Sequence, residues 1–117
     1  MSIKNLTQHS PTADQFDGNG GVTGVDEDAV ELLNFAMPPS VEEINERAVA
    51  LAALAAGFES AMIGGAPYLM GPLVARLKEV GVQPLFSFTE RRSVEETQPD
   101  GSVRKTSVFA HVGWVAV

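Results

Sequence analysis

The sequence predicts an α/β protein: a small, Rossmann-like three-layer sheet, mainly parallel in its core, with an antiparallel C-terminal β-hairpin. Residues 60–89 run strand, glycine turn, helix, strand, a βαβ unit that implies parallel pairing through a right-handed crossover. Residues 84–114 read as a two-stranded ribbon turning at Pro99-Asp100-Gly101, where Pro presets φ and Gly accepts the positive φ that closes the bend. Size supplies the third observation. A chain of 117 residues, 44% hydrophobic and 20% charged, suits one ordinary core, so a single domain over 1–117 is expected.

Residues 3–7 form a first strand that ends in a turn at Gln8-His9-Ser10-Pro11-Thr12, because Pro11 disfavours helical geometry at Ser10. One helical turn over 12–16, capped by Thr12 or Ser10, leads into the loop Asp17-Gly18-Asn19-Gly20-Gly21. Residues 22–25 are a short strand candidate. Asp26-Glu27-Asp28 opens a helix to about Phe35, its acids where the helix dipole favours them. After Pro38-Pro39, Ser40-Val41-Glu42-Glu43 is a capping box. The helix it opens runs to Ala56, with Val41, Ile44, Ala48, Leu51 and Ala55 on one stripe and Gly57 at its end. In the βαβ unit, Pro67 suits a first helical position and Pro72 kinks the helix or resets its start. Leu69, Leu73, Leu77 and Val80 make that helix's buried face, and Gly81 stops it. Residues 94–97 and 102–109 flank the hairpin turn, and 112–117 continue or follow it.

With no cysteine and two histidines far apart, no disulfide framework, thiol nucleophile or metal site is expected, and no cofactor. No apolar run approaches the ~18 residues of a membrane span. The opening MSIKNLTQH lacks a signal core, so a cytoplasmic protein with no membrane partner is expected. A formal net charge of −7 argues against long nucleic acid as a partner, since polyanion affinity comes largely from neutralised phosphates. It leaves room for a short nucleotide in a locally basic pocket. Four of the eight basic residues, Arg91, Arg92, Arg104 and Lys105, sit in the hairpin. Either they hold a small anion, or they face Glu95 and Glu96 across the strands as solvated pairs.

In open parallel sheets ligands collect beyond the carboxyl ends of the strands, where this chain has polar or glycine-rich turns at 7–12, 64–67 and 89–92. Gly64-Gly65 ahead of a helix presents backbone N–H groups to a phosphate, or serves as a tight turn. Arg91 and Arg92 can fork onto phosphate oxygens, but they alternate across a strand, so at most one faces a given site. His9 is a general base, a donor to a leaving oxygen, or a hydrogen-bonded turn residue. His111, between apolar neighbours, reads as ordering the sheet edge. Tyr68 and Trp114 are core residues or stacking surfaces for a base. No Ser-His-Asp set or paired-carboxylate site stands out.

Several stretches together resemble the small standalone CRISPR-associated ring nucleases, which cut the cyclic oligoadenylate messengers of type III systems. They are His9-x-x-Thr12-x-Asp14-Gln15, where the family-like pattern is His-x-x-Thr-x-Glu-Gln; Tyr68-Leu69-Met70; and Pro84-Leu85-Phe86-Ser87. The more specific ones are Thr89-x-Arg91-x-x-Val94-Glu95-Glu96, Asp100-Gly101-x-Val103-x-Lys105 and Val108-Phe109-x-His111-Val112. The match covers the first 15 residues and most of 61–114. It departs at Ile63-Gly64-Gly65-Ala66, where the relatives carry a polar side chain and this chain offers only backbone donors.

The resemblance implies a metal-independent reaction on a cyclic oligoadenylate such as cyclic tetra-adenylate. It implies catalytic roles for His9, Thr89 and Arg91, and ligand contacts from Gln8, Thr12, Gly64, Gly65, Tyr68, Ser87, Arg92, Lys105 and His111. A symmetric ring is most simply held across a two-fold axis, so a homodimer is expected. The altered glycine turn leaves a second reading open, a nucleotide-binding sensor without turnover or a phage or mobile-element relative. A third is an interaction protein whose acidic helices over 26–47 contact a basic partner, with salt-sensitive binding.

Overall fold

The computed structural model describes residues 2–12, 15 and 21–117. The order is β1 (Ile3–Leu6), α1 (Glu27–Leu33), α2 (Val41–Leu54), β2 (Ser60–Ile63), α3 (Pro67–Glu79), β3 (Gln83–Thr97) and β4 (Val103–Ala116). One four-stranded sheet runs β1-β2-β3-β4. The first two pairings are parallel, and β3–β4 is the expected antiparallel hairpin. The short strand expected over 22–25 shrinks to a single parallel bridge between Ile3 and Val22.

Local chemistry accounts for the helices. Asp26 caps α1 by accepting from the Asp28 amide, and Ser40 caps α2 by accepting from Glu43. Lys4 Nζ lies 2.8 Å from Asp26 Oδ2, and this hydrogen bond, helped by the Asp28 amide, holds the Asp26 carboxyl below its usual range. Arg47 closes the other end of α1, donating to the carbonyls of Glu31, Leu32 and Asn34 while lying over the Phe35 ring. Pro72 neither breaks α3 nor resets its start. It removes one rung of the ladder, the bond that residue 72 would donate to Tyr68. Gly81, at φ 76°, ends α3 in the left-handed geometry that glycine adopts at no steric cost.

The core lies between the helices and one face of the sheet. Leu6, Ala61 and Ile63 join Leu33, Ala48, Leu51, Leu69, Leu73 and Leu77 in one cluster. Two expected members drop out. Val41, the first residue of α2, is 76% exposed, and Val80, the C-cap of α3, is 50% exposed. Each crossover advances the sheet by one neighbour in the same direction, so right-handed connections bring their helices to a single face. Leu6, Ala61 and Ile63, on one face of the sheet, pack with all three helices, so among the described residues the helices share that face; the third layer of the expected arrangement is not among them. The other face, which includes the buried Asn5 and Met62, adjoins the segment that follows β1.

Beyond the core the hairpin continues as an arm. Gln98 and Gly101 close its turn through Gln98 N–H to Ser102 O and Gly101 N–H to Gln98 O, with Gly101 at φ 86°. Asp100 accepts from the Ser102 amide and hydroxyl, which lower its pKa. The arm stretches the molecule to 57 × 37 × 23 Å, with a radius of gyration of 17.0 Å. A compact chain of this length would have about 13 Å.

Candidate functional site

A cavity of about 340 Å³ opens at the carboxyl ends of β1 and β2 and against the middle of β3. Thr7, His9, Ser10, Thr12 and Gln15 form one wall, Met62, Ile63 and Gly64 another, and Phe86, Ser87 and Thr89 a third. Two of the three turns marked in the sequence, 7–12 and 64–67, thus contribute to it, and the third begins at its rim with Thr89.

The first wall is set by a buried side chain. Asn5 is fully buried at the end of β1. Its Oδ1 accepts from the Thr7 amide at 2.9 Å and the Thr7 hydroxyl at 2.7 Å, and its Nδ2 donates to the His9 carbonyl at 2.9 Å. The His9 amide in turn donates to Thr7 Oγ1. These bonds fold the chain back on itself, so the His9 backbone is fixed while its side chain is exposed at the rim. Gln15 braces the same wall: its Oε1 accepts from the Thr12 amide, and its Nε2 donates to Ser87 Oγ at 3.5 Å. Asp14, which the motif includes, lies outside the described residues.

The β3 wall continues across the hairpin. Ser87 is opposite Trp114 and Thr89 opposite His111, with an irregularity in the register between Phe88 and Thr89. Val112 is the extra residue there, and it brings His111 and Trp114 to one face. Their rings sit 4.4 Å apart, and His111 Nδ1 is hydrogen-bonded to Ser87 Oγ. Strand alternation settles which arginine shares this face. Arg91 lies two residues beyond Thr89, with its guanidinium 5.4 Å from the Phe109 ring centroid, and Arg92 turns the other way and bonds Glu90 at 3.3 Å.

His9, Thr12, Gly64, Ser87 and Thr89 therefore line one cavity, with His111 bonded to it and Arg91 on the same face of β3. Five other expected contacts lie elsewhere. The Gln8 amide pairs with Asn34. Gly65 packs toward the core, where a Cβ would meet Met70 at 3.4 Å and Leu33 at 3.5 Å. Tyr68 packs against Phe35 with ring centroids 5.8 Å apart and the planes tilted by 55°, beside an apolar groove that includes Met37 and Pro38. Arg92 faces away, and Lys105 is opposite Glu95, six residues and about 20 Å beyond Thr89 along the ribbon. The basic residues of the hairpin largely have partners within the arm. Lys105 and Arg104 face Glu95 and Glu96 in register, Arg92 has Glu90, and Arg91 has an aromatic ring.

A family model described as the uncharacterized protein MJ1673 family matches residues 1–115. The chain belongs to this family. The match runs from the first strand through nearly all of β4, so cavity and arm both lie within it. No curated protein and no solved structure matches the chain.

The cavity's chemistry follows from its donors. Its lining carries hydroxyls, an amide, an imidazole and a glycine backbone, and no carboxylate among the described residues. Hard divalent cations favour carboxylate oxygens, whereas this set suits a ligand rich in hydroxyl and phosphoryl oxygens. Among the described residues, no helix is long and apolar enough to cross a membrane.

Proposed function

We propose that the protein is a metal-independent ring nuclease that opens a cyclic oligoadenylate, cyclic tetra-adenylate foremost, and so switches off type III CRISPR signalling. One observation carries the reading. His9, Thr12, Gly64, Ser87 and Thr89, distant in sequence, line a single cavity at the carboxyl ends of parallel strands, with Arg91 on the same face. A ribose 2′-hydroxyl attacks the adjacent phosphorus, the bond to the 5′-oxygen breaks, and a linear oligoadenylate with a 2′,3′-cyclic phosphate leaves. The 2′-hydroxyl gives up a proton and the 5′-oxygen gains one. His9, at the rim, takes or supplies that proton. Arg91 and the Gly64 amide hold the phosphoryl oxygens, and Thr89 orients the phosphate.

A volume of about 340 Å³ is at the small end of ligand sites. It suits part of a ring, so the symmetric ligand spans two copies of the site in a homodimer. The arm is the surface for that contact. Val103 and Phe109, on the same face as Ser87 and Arg91, are 57% and 70% exposed on it, and a two-stranded ribbon alone is marginal in water. Its four acids and four bases over 88–112 cancel, leaving the whole −7 on the rest of the chain. Two copies thus meet with least repulsion through their arms. A partner laid on the Ser87–Arg91 face would also complete a Rossmann-like third layer over the sheet.

The test is incubation with cyclic tetra-adenylate in excess chelator, with products separated by chromatography and binding measured in parallel. Linear products with cyclic-phosphate ends are expected, and Arg91→Ala should slow their formation by about a hundredfold or more. Arg91→Ala at wild-type rate would remove the clamp from the mechanism. Tight binding without turnover would favour the second reading, a non-catalytic sensor. The wall of Met62, Ile63 and Gly64, which offers no polar side chain, speaks for that alternative. Neither binding nor turnover across ring sizes would overturn both.

A further inference from the structure

We propose that Ser87 and His111 are a nucleophile–base pair, and that the cavity cleaves small uncharged carboxylic esters through an acyl-serine. The proposal uses a different nucleophile from the 2′-hydroxyl reaction and does not depend on it. Ser87 Oγ and His111 Nδ1 share a hydrogen bond across β3 and β4. Gln15 Nε2 donates to the same oxygen, which as a hydroxyl can accept that bond and still give its own hydrogen to His111. In the tautomer with Nδ1 unprotonated, the nitrogen that faces Ser87 is a base. The Trp114 ring packs against the imidazole, its centroid 4.4 Å away and its plane tilted by 56°. A hydroxyl within reach of a base, itself oriented by a third group, is the geometry of an activated nucleophile.

The surroundings select the substrate. Met62, Ile63 and Phe86 give the cavity apolar walls, while the hydroxyls of Ser10, Thr12 and Thr89 offer donors to a developing oxyanion. Ser87 Oγ bonds to the carbonyl carbon as its proton passes to His111 Nδ1. The bond to the alkoxide breaks, and the alkoxide takes that proton and leaves as an alcohol. Water then attacks the acyl-serine, gives a proton to His111 and releases the acid, and the proton returns to Ser87.

A fluorophosphonate probe reads the pair directly, because Ser87 Oγ would displace fluoride at phosphorus and remain covalently marked. We expect one label per chain, located at Ser87 by peptide mass spectrometry and absent in Ser87→Ala. His111→Asn keeps a hydrogen-bonding group where Nδ1 stands but cannot take the proton, so labelling should slow by about a hundredfold. Hydrolysis of p-nitrophenyl acetate should fall in the same two variants, with circular dichroism and thermal melting unchanged. An unlabelled wild type, a label elsewhere, or a His111→Asn variant labelled at the wild-type rate would overturn the proposal. Loss of melting temperature in His111→Asn without loss of labelling rate would reduce the pair to a cross-strand tie.

Discussion

Asn5 shows how much one buried side chain organises. It lies between Lys4 and Leu6 in β1, opposite Met62, yet its amide bonds the backbone of the turn that follows. Asn5→Leu would fill a similar volume and leave the Thr7 amide and the His9 carbonyl without that partner. We expect a loss of about 1–3 kcal/mol in denaturant unfolding, and weaker ligand binding as the His9 wall loosens. Unchanged stability would mean that water replaces the amide. The sequence could not announce this role, because a polar residue inside a strand reads as the solvent side of an alternating pattern. Gln15 was visible within a motif, but its contact with Ser87 spans 72 residues. The pairing of Ser87 with His111 was hidden for another reason. Strict alternation back from Trp114 puts Val112 on the Trp114 face and His111 on the opposite one, and only the irregularity beside Thr89 reverses that.

At the scale of elements, the helix boundaries and the hairpin turn were legible because their signals are local. Ser40 with Glu43, Gly81 after α3 and Pro99-Asp100-Gly101 each act within four residues. The stripe of α2 holds at Ala48, Leu51 and Ala55 and fails at Val41, the first residue of the helix. Gly101 gives the clearest test of the hairpin. At φ 86° an alanine is strained, so Gly101→Ala should cost about 1 kcal/mol or somewhat more. Amide hydrogen exchange along the arm should rise roughly fivefold, while β1 and β2 keep their protection. Equal acceleration in both places would show that arm and core open as one unit.

For the molecule as a whole, charge and shape point the same way. A neutral arm with exposed phenylalanines projects from a body that carries the entire net charge of −7. Sedimentation should show a dimer at micromolar concentration that tightens as salt rises toward physiological strength, because screening relieves repulsion between the bodies. Replacing Val103 and Phe109 by Ser should return it to a monomer with an unchanged far-ultraviolet spectrum. A monomer at tens of micromolar, or a dimer that salt dissociates, would point to a different interface. The sequence did not disclose that the helices share one face, because strand order within a sheet leaves no local mark. It did disclose the parallel unit and the ribbon, whose patterns lie within single stretches of chain.

The register of the arm carries one last implication. Past Thr89 the two strands pair residue for residue, without interruption, to Thr97 and Val103. Removing two residues from each strand would therefore return every remaining side chain to its own face and shorten the ribbon by about 7 Å. Length is thus adjustable in fixed steps without disturbing the cavity wall at Ser87 and His111. If two copies pair through their arms as proposed, changes confined to the tip would alter the contact between them and leave each cavity intact.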